Sequence, residues 1–352
     1  MRVALDATPL TLTSGGLRRY TAELSCALAA EFPGDDFVLV SDQLFDLPPA
    51  AACLPNLRRG PGPRNLLERR WWLWGVARVR AQVFHGTDFA VPYLPLAPSV
   101  LTLHDLSPWL DPGWHHAAGR VRRRAPFLIR LGLATMIVTH CEAVRRAAIE
   151  RFRLHPGRIV AVPLAASSVF RPVESPPQAA PYFLFAGTLE PRKNLPLLVE
   201  AWRAVRKLHQ VDLVLAGRRR ADFPPLAEQA GLRVLGEAPD EQLPVLYSGA
   251  LACVYPSLYE GFGLPVLEAM QCGAAVITSR DPAITEVAAG AAVQLDARDT
   301  RAWVEALTAA TNPEWAAAWR ARSLARARQF SWSRTARLTR EVYDEARRQF
   351  RS

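Results

Sequence analysis

The sequence predicts an α/β protein of two doubly wound, Rossmann-like domains that leave a cleft between them. Three observations carry that expectation. Short runs rich in Val, Leu and Ile alternate with longer segments of helical period, the pattern of βαβ units around a parallel sheet. The alternation stops at RPVESPPQAAP, residues 171–181, a stretch too rich in proline for a helix or a central strand, and then starts again. The chain has 352 residues and is 50% hydrophobic, which suits two ordinary domains better than one. The first domain is therefore expected over 1–170, a linker over 171–181, and the second domain over 182–331.

The elements follow in order. An apolar strand at 3–6 leads through ATPLTLTSGGLRRY into a helix over 17–30. Further strands are expected at 37–41, 83–85, 99–104 and 136–139, and a helix after Glu142. Past the linker, the strand at 182–186 is followed by the loop GTLEPRKN and a helix over 195–208. Strands at 212–216, 232–235, 250–255 and 274–278 come next, with the helices DEQLPVLYS and LPVLEAMQC among them. Beyond Asp299 the chain reads as mostly helical, with Trp303, Trp315, Trp319 and Trp332 expected to be buried on apolar faces. No sequence repeat is present; the repeat is architectural.

Composition narrows the function classes. The formal charge of +10 arises from 43 basic and 33 acidic residues, with the excess concentrated in the first half. A basic balance suggests an anionic partner: nucleic acid, a phosphorylated substrate or an anionic membrane surface. No nucleic-acid-binding motif appears, so nucleic acid is not expected. Lys193 and Lys207 are the only lysines, all other cations being arginine. The five cysteines are scattered without a C-x-x-C pair, which fits reduced, buried thiols rather than a disulfide or zinc framework. The opening MRVALDATPL lacks the apolar core of a signal peptide, and no run reaches the roughly 18 apolar residues of a membrane span. The expected location is the cytoplasm.

Open parallel sheets bind ligands beyond the C-terminal ends of their strands, so the residues there matter most. Gly15 and Gly16 fall at a helix N-terminus after the first strand, where glycine lets a backbone approach a phosphate, although an ordinary loop also accounts for them. Gly187 and Thr188 leave a strand of the second domain, and Arg192 with Lys193 precedes a helix. Two cations there oppose the helix dipole unless a bound diphosphate reverses the sign of that cost; otherwise they are a solvated turn of exposed charges. His104, in LTLHDLSP, should emerge at a strand tip, as a catalytic or a structural histidine, and His85 has a similar setting. Asp105 beside it suits a cap.

The stretch YEGFGLPVLEAM carries two acids. Glu260 follows a strand, Gly261 and Gly263 give a tight turn, and Pro265 suits the first turn of a helix. Glu260 and the following amides should face the cleft, and Glu268 should point toward the same mouth. Such a pair could do general acid and base work as in glycoside hydrolysis, accept hydrogen bonds from sugar and ribose hydroxyls, or simply decorate a helix N-terminus.

Taken together, these motifs resemble one family. EGFGLPVLE resembles the E-x7-E signature of retaining nucleotide-sugar glycosyltransferases of the group 1 type, family 4-like, which have the GT-B architecture. GTLEPRKNLPLLVEAW is similar to their diphosphate loop and helix, and MRVALDATPLTLTSGGLRRYTAEL and LTLHDLSPW resemble their N-terminal glycine loop and histidine segment. The resemblance covers close to the whole chain and is strongest over 182–296. It implies that Arg192 and Lys193 neutralise the donor diphosphate as it leaves, with no metal, in keeping with the absence of a D-x-D triplet. It implies that Glu268 holds the ribose, that Glu260 and the amides of Gly261, Phe262, Gly263 and Leu264 hold the donor sugar and phosphate, that Gly15 and Gly16 let the N-terminal domain close on the phosphate, and that His104 contacts the donor sugar. The final helix, 332–352, is expected to cross back onto the N-terminal domain. VTHCEAVRR departs from the pattern, with His140 and Cys141 where the family often has a serine-containing segment.

The resemblance also implies a glycan or lipid-linked acceptor on the N-terminal domain and no cofactor beyond the donor substrate. RNLLERRWWLWGVARVR and GRVRRRAPFLIRLG combine arginine with Trp71, Trp72 and Trp74, which suits either contact with an anionic membrane or a filled core with solvated charges. The SGGLRRY loop resembles surface-polysaccharide mannosyltransferases, which favours GDP-mannose, with UDP-glucose, UDP-N-acetylglucosamine and dTDP-rhamnose open. A nucleotide-sugar 2-epimerase of the same architecture and a non-catalytic nucleotide-sugar or anion-binding protein are the alternatives.

Overall fold

Two parallel sheets organise the chain. The computed structural model describes residues 1–13, 15–66, 74–115, 118–174 and 180–351. Residues Met1–Ala165 with Ser331–Ser352 form one compact unit, and Ala166–Phe330 form the other.

In the first unit, β1 (Arg2–Asp6), β2 (Asp36–Val40), β3 (Leu57–Arg59), β4 (Val83–Gly86), β5 (Ser99–Thr102), β6 (Met136–Thr139) and β7 (Ile159–Ala161) form a sheet of order β3-β2-β1-β4-β5-β6-β7. Every pair is parallel, with register set by matches such as Val3 to Phe37 and Leu5 to His85. The central strands are buried along nearly their whole length because helices cover both faces, so they read as continuous apolar runs. The longer helices before the second unit are α1 (Gly16–Glu31), α2 (Gly119–Arg130) and α3 (Glu142–Phe152).

The second unit repeats the plan with β8 (Tyr182–Ala186), β9 (Asp212–Ala216), β10 (Leu232–Gly236), β11 (Ala252–Tyr255), β12 (Val276–Ser279) and β13 (Val293–Leu295), in the order β10-β9-β8-β11-β12-β13 and all parallel. Its helices are α4 (Leu195–Arg206), α5 (Leu243–Gly249), α6 (Leu264–Gln271), α7 (Pro282–Ala288), α8 (Thr300–Ala309) and α9 (Pro313–Ala327). Trp202 and Trp303 are fully buried, and each indole N–H keeps an acceptor, Val211 O at 3.0 Å and Asp296 O at 2.8 Å. Trp315, Trp319 and Trp332 are only half-buried, against expectation: Trp315 and Trp319 lean on each other at the edge of α9, and Trp332 begins the next helix.

That last helix, α10 (Trp332–Arg351), belongs to the first unit and packs on α1 and on β4, β5 and β6. Its sequence explains the docking. Tyr343 is fully buried and its hydroxyl meets His85 Nδ1 at 2.7 Å, while Arg340 Nε lies 2.5 Å from Asp35 Oδ2, which also pairs with the N-terminal amine. Thr335 Oγ1 adds a bond to Pro163 O at 2.6 Å.

The boundary between the units differs from the one expected at 170. Residues from Ala166 belong to the second unit because Gln271 Nε2 donates to Ser167 O and Phe170 O at 2.8 and 2.7 Å, and the buried Phe170 ring packs on Tyr247. Residues 175–179 of the expected linker, and Trp71 and Trp72, lie outside the described residues. Helix α2 turns Arg120, Arg123 and Phe127 outward, and Leu131 just beyond it is exposed as well. Among the described residues no helix is long and apolar enough to cross a membrane.

Candidate active site

The strand order of the second sheet reverses between β8 and β11, the place where an open parallel sheet presents a ligand site. The β8 loop begins with Gly187 and Thr188, both half-buried, and Pro191–Lys193 then make a 3-10 turn that ends at Asn194 with φ 55°. Asparagine tolerates this left-handed backbone, and its side-chain amide donates to Pro256 O at 3.2 Å and Ala297 O at 2.7 Å. The turn is thereby pinned to the β11 loop, where Leu258 N also donates to Arg192 O at 2.8 Å.

The pinned turn directs its cations inward. Lys193 is 7% exposed, which corrects the expectation of an exposed loop cation. Burial is possible because Glu260, also 7% exposed, receives the charge: its Oε1 is 2.5 Å from Lys193 Nζ and accepts from Ser257 Oγ at 2.7 Å, and its Oε2 is 2.9 Å from Arg192 Nη1. Arg192 Nε sits 2.7 Å from Glu190 Oε1, and Glu190 Oε2 takes Arg220 Nη1 at 2.7 Å. The result is an alternating chain, Lys193, Glu260, Arg192, Glu190, Arg220. Burial alone would raise the Glu260 carboxyl, but Lys193 and Arg192 outweigh it and, with the Ser257 bond, hold it down at about 2.

The EGFG turn leads into α6. Gly263 caps that helix with φ 93°, a left-handed conformation in which a side chain would be strained. Glu260 N donates to Asp281 Oδ2 at 3.2 Å, and the other oxygen of Asp281 caps α7 through Ala283 N and Ile284 N at 2.9 and 3.1 Å. Phe262 is buried edge-on to Phe330 and Leu264 is buried too, while Gly261 stays half-buried. Glu268 is 1% exposed and accepts from Tyr247 OH at 3.2 Å. Its carboxylate is thereby turned onto the buried side of α6.

In the first unit the reversal lies between β1 and β4. Gly15, at φ 102°, caps α1, and Gly16 opens it; both are exposed, with open space where a Cβ would stand. His104, half-buried after β5, donates from Nε2 to Thr87 O at 2.7 Å, so its Nδ1 meets His140 Nε2 at 2.8 Å as the ring's acceptor when neutral. Tyr20 lies edge-on to both rings. Burial holds His104 and His140 below the usual histidine range, with Asp88 opposing the shift at His104. His85 is structural: fully buried and pushed down to about 3 by burial, it links Tyr343 to Thr102 Oγ1, 2.8 Å from its Nε2. Cys141 fills the serine-like position by capping α3, its Sγ accepting from Val144 N at 3.4 Å.

The description "Glycosyl transferases group 1" matches residues 168–323, and "Glycosyltransferase Family 4" matches residues 14–167. An O-antigen chain mannosyltransferase B from Escherichia coli is 32% identical, covering 97% of this chain and 99% of that protein. The chain belongs to the group 1 glycosyltransferases. Solved folds agree with the GT-B architecture: sucrose-phosphate synthase from Thermosynechococcus elongatus has a TM-score of 0.72 at 20% identity, covering 98% of each chain. Anabaena Alr3699/HepE, solved in complex with UDP-glucose, has a TM-score of 0.71 at 16% identity, covering 98% of this chain and 100% of that one.

Within this glycosyltransferase, the fold gathers Gly187, Thr188, Arg192, Lys193, Glu260, Phe262 and Gly263 on one unit and places Gly15, Gly16 and His104 on the other. Sequence reasoning missed Glu190, Arg220, Ser257 and Asp281. Asp281 had a usable signal, since Asp-Pro after an apolar strand is an N-cap followed by proline in the first turn. Arg220 and Glu190 had none: they meet because the β8 and β9 loops pair through Leu189 and Arg219.

Proposed function

We propose that this group 1 glycosyltransferase moves a hexosyl group, mannosyl in the favoured case, from a nucleotide-diphosphate sugar such as GDP-mannose to a glycan or lipid-linked acceptor of surface polysaccharide, retaining anomeric configuration and using no metal. The observation that carries this reading is the pair of the half-buried Arg192 and the buried Lys193 at the reversal of the second sheet. A guanidinium has five N–H donors and an ammonium three, more than the carboxylates beside them occupy, so capacity remains for phosphate oxygens. The O-antigen mannosyltransferase relative supports the sugar and the pathway class, and the nucleotide-sugar complex of HepE supports the donor class.

In the reaction, the bond from the sugar's anomeric carbon to the diphosphate breaks and its electron pair leaves on phosphate oxygen. Arg192 and Lys193 stabilise that developing charge, a contribution of roughly a hundredfold or more per donor group in comparable sites. The acceptor oxygen bonds to the same face of the anomeric carbon, and its proton goes to the departing phosphate oxygen. Glu260, kept ionised, accepts from sugar hydroxyls together with the amides of Gly261 to Leu264; Glu268 holds the ribose; Gly15, Gly16 and His104 complete the donor contacts. The test is incubation with a panel of nucleotide sugars, reading nucleotide release and radiolabel transfer to extracted lipid-linked glycan. GDP-mannose should give the fastest release; no release and no thermal shift with any nucleotide would overturn the reading.

A further inference from the structure

A second group of polar residues stands at the reversal of the first sheet. The loop leaving β4 folds back so closely that a Cβ on Gly86 would come within 1.5 Å of Ala90 O. Phe89 in that loop adopts φ 51°, held by its N–H donating to Thr102 O at 3.1 Å. A left-handed backbone costs an aromatic residue about 1 kcal/mol or more, so the surrounding fold enforces this turn. The residue it presents is Asp88, half-buried, whose carboxylate accepts no hydrogen bond among the described residues. The charged groups facing it are His104, Arg124 and Asp105.

Arg124 comes from α2. Its guanidinium lies over the Tyr93 ring at 5.0 Å, which fixes its plane. Its Nε and Nη2 are buried and have no hydrogen-bond partner among the described residues. Those two N–H groups share one edge of the guanidinium, the edge with which arginine grips two oxygens at once. Each buried donor left unmatched costs about 1–3 kcal/mol, so an intact unmatched fork points to oxygens that a ligand supplies.

Charge selects the ligand. Asp88 and Asp105 lie around the site, so an anion on the fork would meet repulsion from carboxylates. A neutral polyol does not, because one hydroxyl can donate to Asp88 while a neighbouring oxygen accepts from Arg124. We propose that Asp88 and Arg124 bind adjacent hydroxyls of a neutral hexopyranoside of the acceptor and so decide which acceptor sugar is extended. This rests on the transferase reading above, with the donor's charged end bound in the second unit.

The test compares steady-state kinetics of the full chain and its Asp88→Asn, Arg124→Gln and Arg124→Lys variants, using a nucleotide sugar and a neutral glycoside acceptor. Each variant should raise the acceptor KM by about tenfold or more, equivalent to about 1.4 kcal/mol, and leave the donor KM within about twofold. Arg124→Lys keeps the charge and loses the fork, so a wild-type acceptor KM in that variant would reduce Arg124 to a counter-ion and overturn the proposal. A donor KM rising in step would place the donor sugar there instead and also overturn it. Saturation-transfer NMR with methyl α-mannopyranoside and with a sugar phosphate decides the matter independently of turnover and of poorly folded variants. Contact with the neutral glycoside alone supports the subsite, and contact only with the phosphate sinks it. Absent nucleotide release would count against the transferase reading and leave this NMR result standing.

Discussion

At the reversal of the second sheet, Lys193, Arg192 and Arg220 are each set against a carboxylate, and Glu260 opposes the burial and the Arg192 charge that lower the Lys193 ammonium. At the reversal of the first sheet, the groups around the Asp88 and Arg124 pair are pushed toward neutrality: burial raises Asp6 to about 7 and lowers His85, His104 and His140. The two sheets share a parallel, doubly wound plan, so backbone architecture does not set this difference. Side chains do. Paired buried charges suit a ligand that brings charge of its own, whereas neutral donors and acceptors suit hydroxyls, which exchange hydrogen bonds without a counter-ion.

The largest expected effect comes from breaking the charged side of this comparison. Lys193→Ala removes the nearer of Glu260's two cations and leaves Arg192 Nη1 at 2.9 Å, so the stability loss should be a part of the about 3–5 kcal/mol that breaking a buried pair costs. Transfer should fall on the order of a hundredfold or more, because a cation aimed at the leaving group is lost. Urea denaturation and kcat/KM measure the two losses. The Lys193→Ala, Glu260→Gln double variant should recover part of the stability and none of the activity, since removing both charges removes the penalty of a half-paired carboxylate. If the single variant were as stable as wild type, the ion pair would be ornamental and the contrast between the sheets would collapse.

That variant also marks where sequence reading stopped. Strands such as 136–139 and 182–186 were legible because parallel strands buried on both faces are short, continuous apolar runs. The edge strands β3, β7 and β13 have three residues each, at most one of them buried, too little pattern to read. Arg192, Lys193 and Glu260 could be picked out by their places at strand ends. Their burial could not, because it depends on Asn194 tying the β8 loop to Pro256 and Ala297, residues far away in the chain. Asp88 and Arg124 were passed over for the same reason: a threonine-aspartate pair after a strand and an arginine in an arginine-rich helix carry no local mark of the space they share.

The neutral side of the comparison predicts a smaller and oppositely signed effect. Asp6 accepts from Thr8 N at 2.9 Å, and burial raises its carboxyl from 3.8 to about 7, so the fold favours the protonated form. Its contribution to stability is full below pH 3.8 and is lost as pH rises through about 7. Asp6→Asn keeps an acceptor oxygen for Thr8 N and cannot ionise. Each tenfold change in a carboxyl's proton affinity is worth about 1.4 kcal/mol, and relaxation of the site takes up part of the total, so the variant should exceed wild type by on the order of 2 kcal/mol at pH 8. Near pH 4 the difference should almost vanish. Urea midpoints at pH 4, 6 and 8 would check this; a difference that does not change with pH would mean that Asp6 is solvated and the first sheet's site is not a neutral one.

The smallest effect tests whether the departure at Cys141 is a cap or merely packing. Its backbone is extended at φ −150° and ψ 162°, the geometry of a residue before the first helical turn, and its Sγ accepts from Val144 N at 3.4 Å. Sulfur is a weak acceptor, whereas serine is among the preferred capping residues. Cys141→Ser should therefore strengthen the hydrogen bond that starts α3. Against this, the thiol is 1% exposed and behaves partly as a small apolar group, so the hydroxyl brings some desolvation cost. The cap contributes about 1 kcal/mol and the desolvation cost is smaller, which leaves a net gain of about 0.5 kcal/mol in the stability of the first unit, read from its denaturation midpoint. A loss of about 1 kcal/mol or more would show that the sulfur fills space beside the histidines and that the capping geometry is incidental.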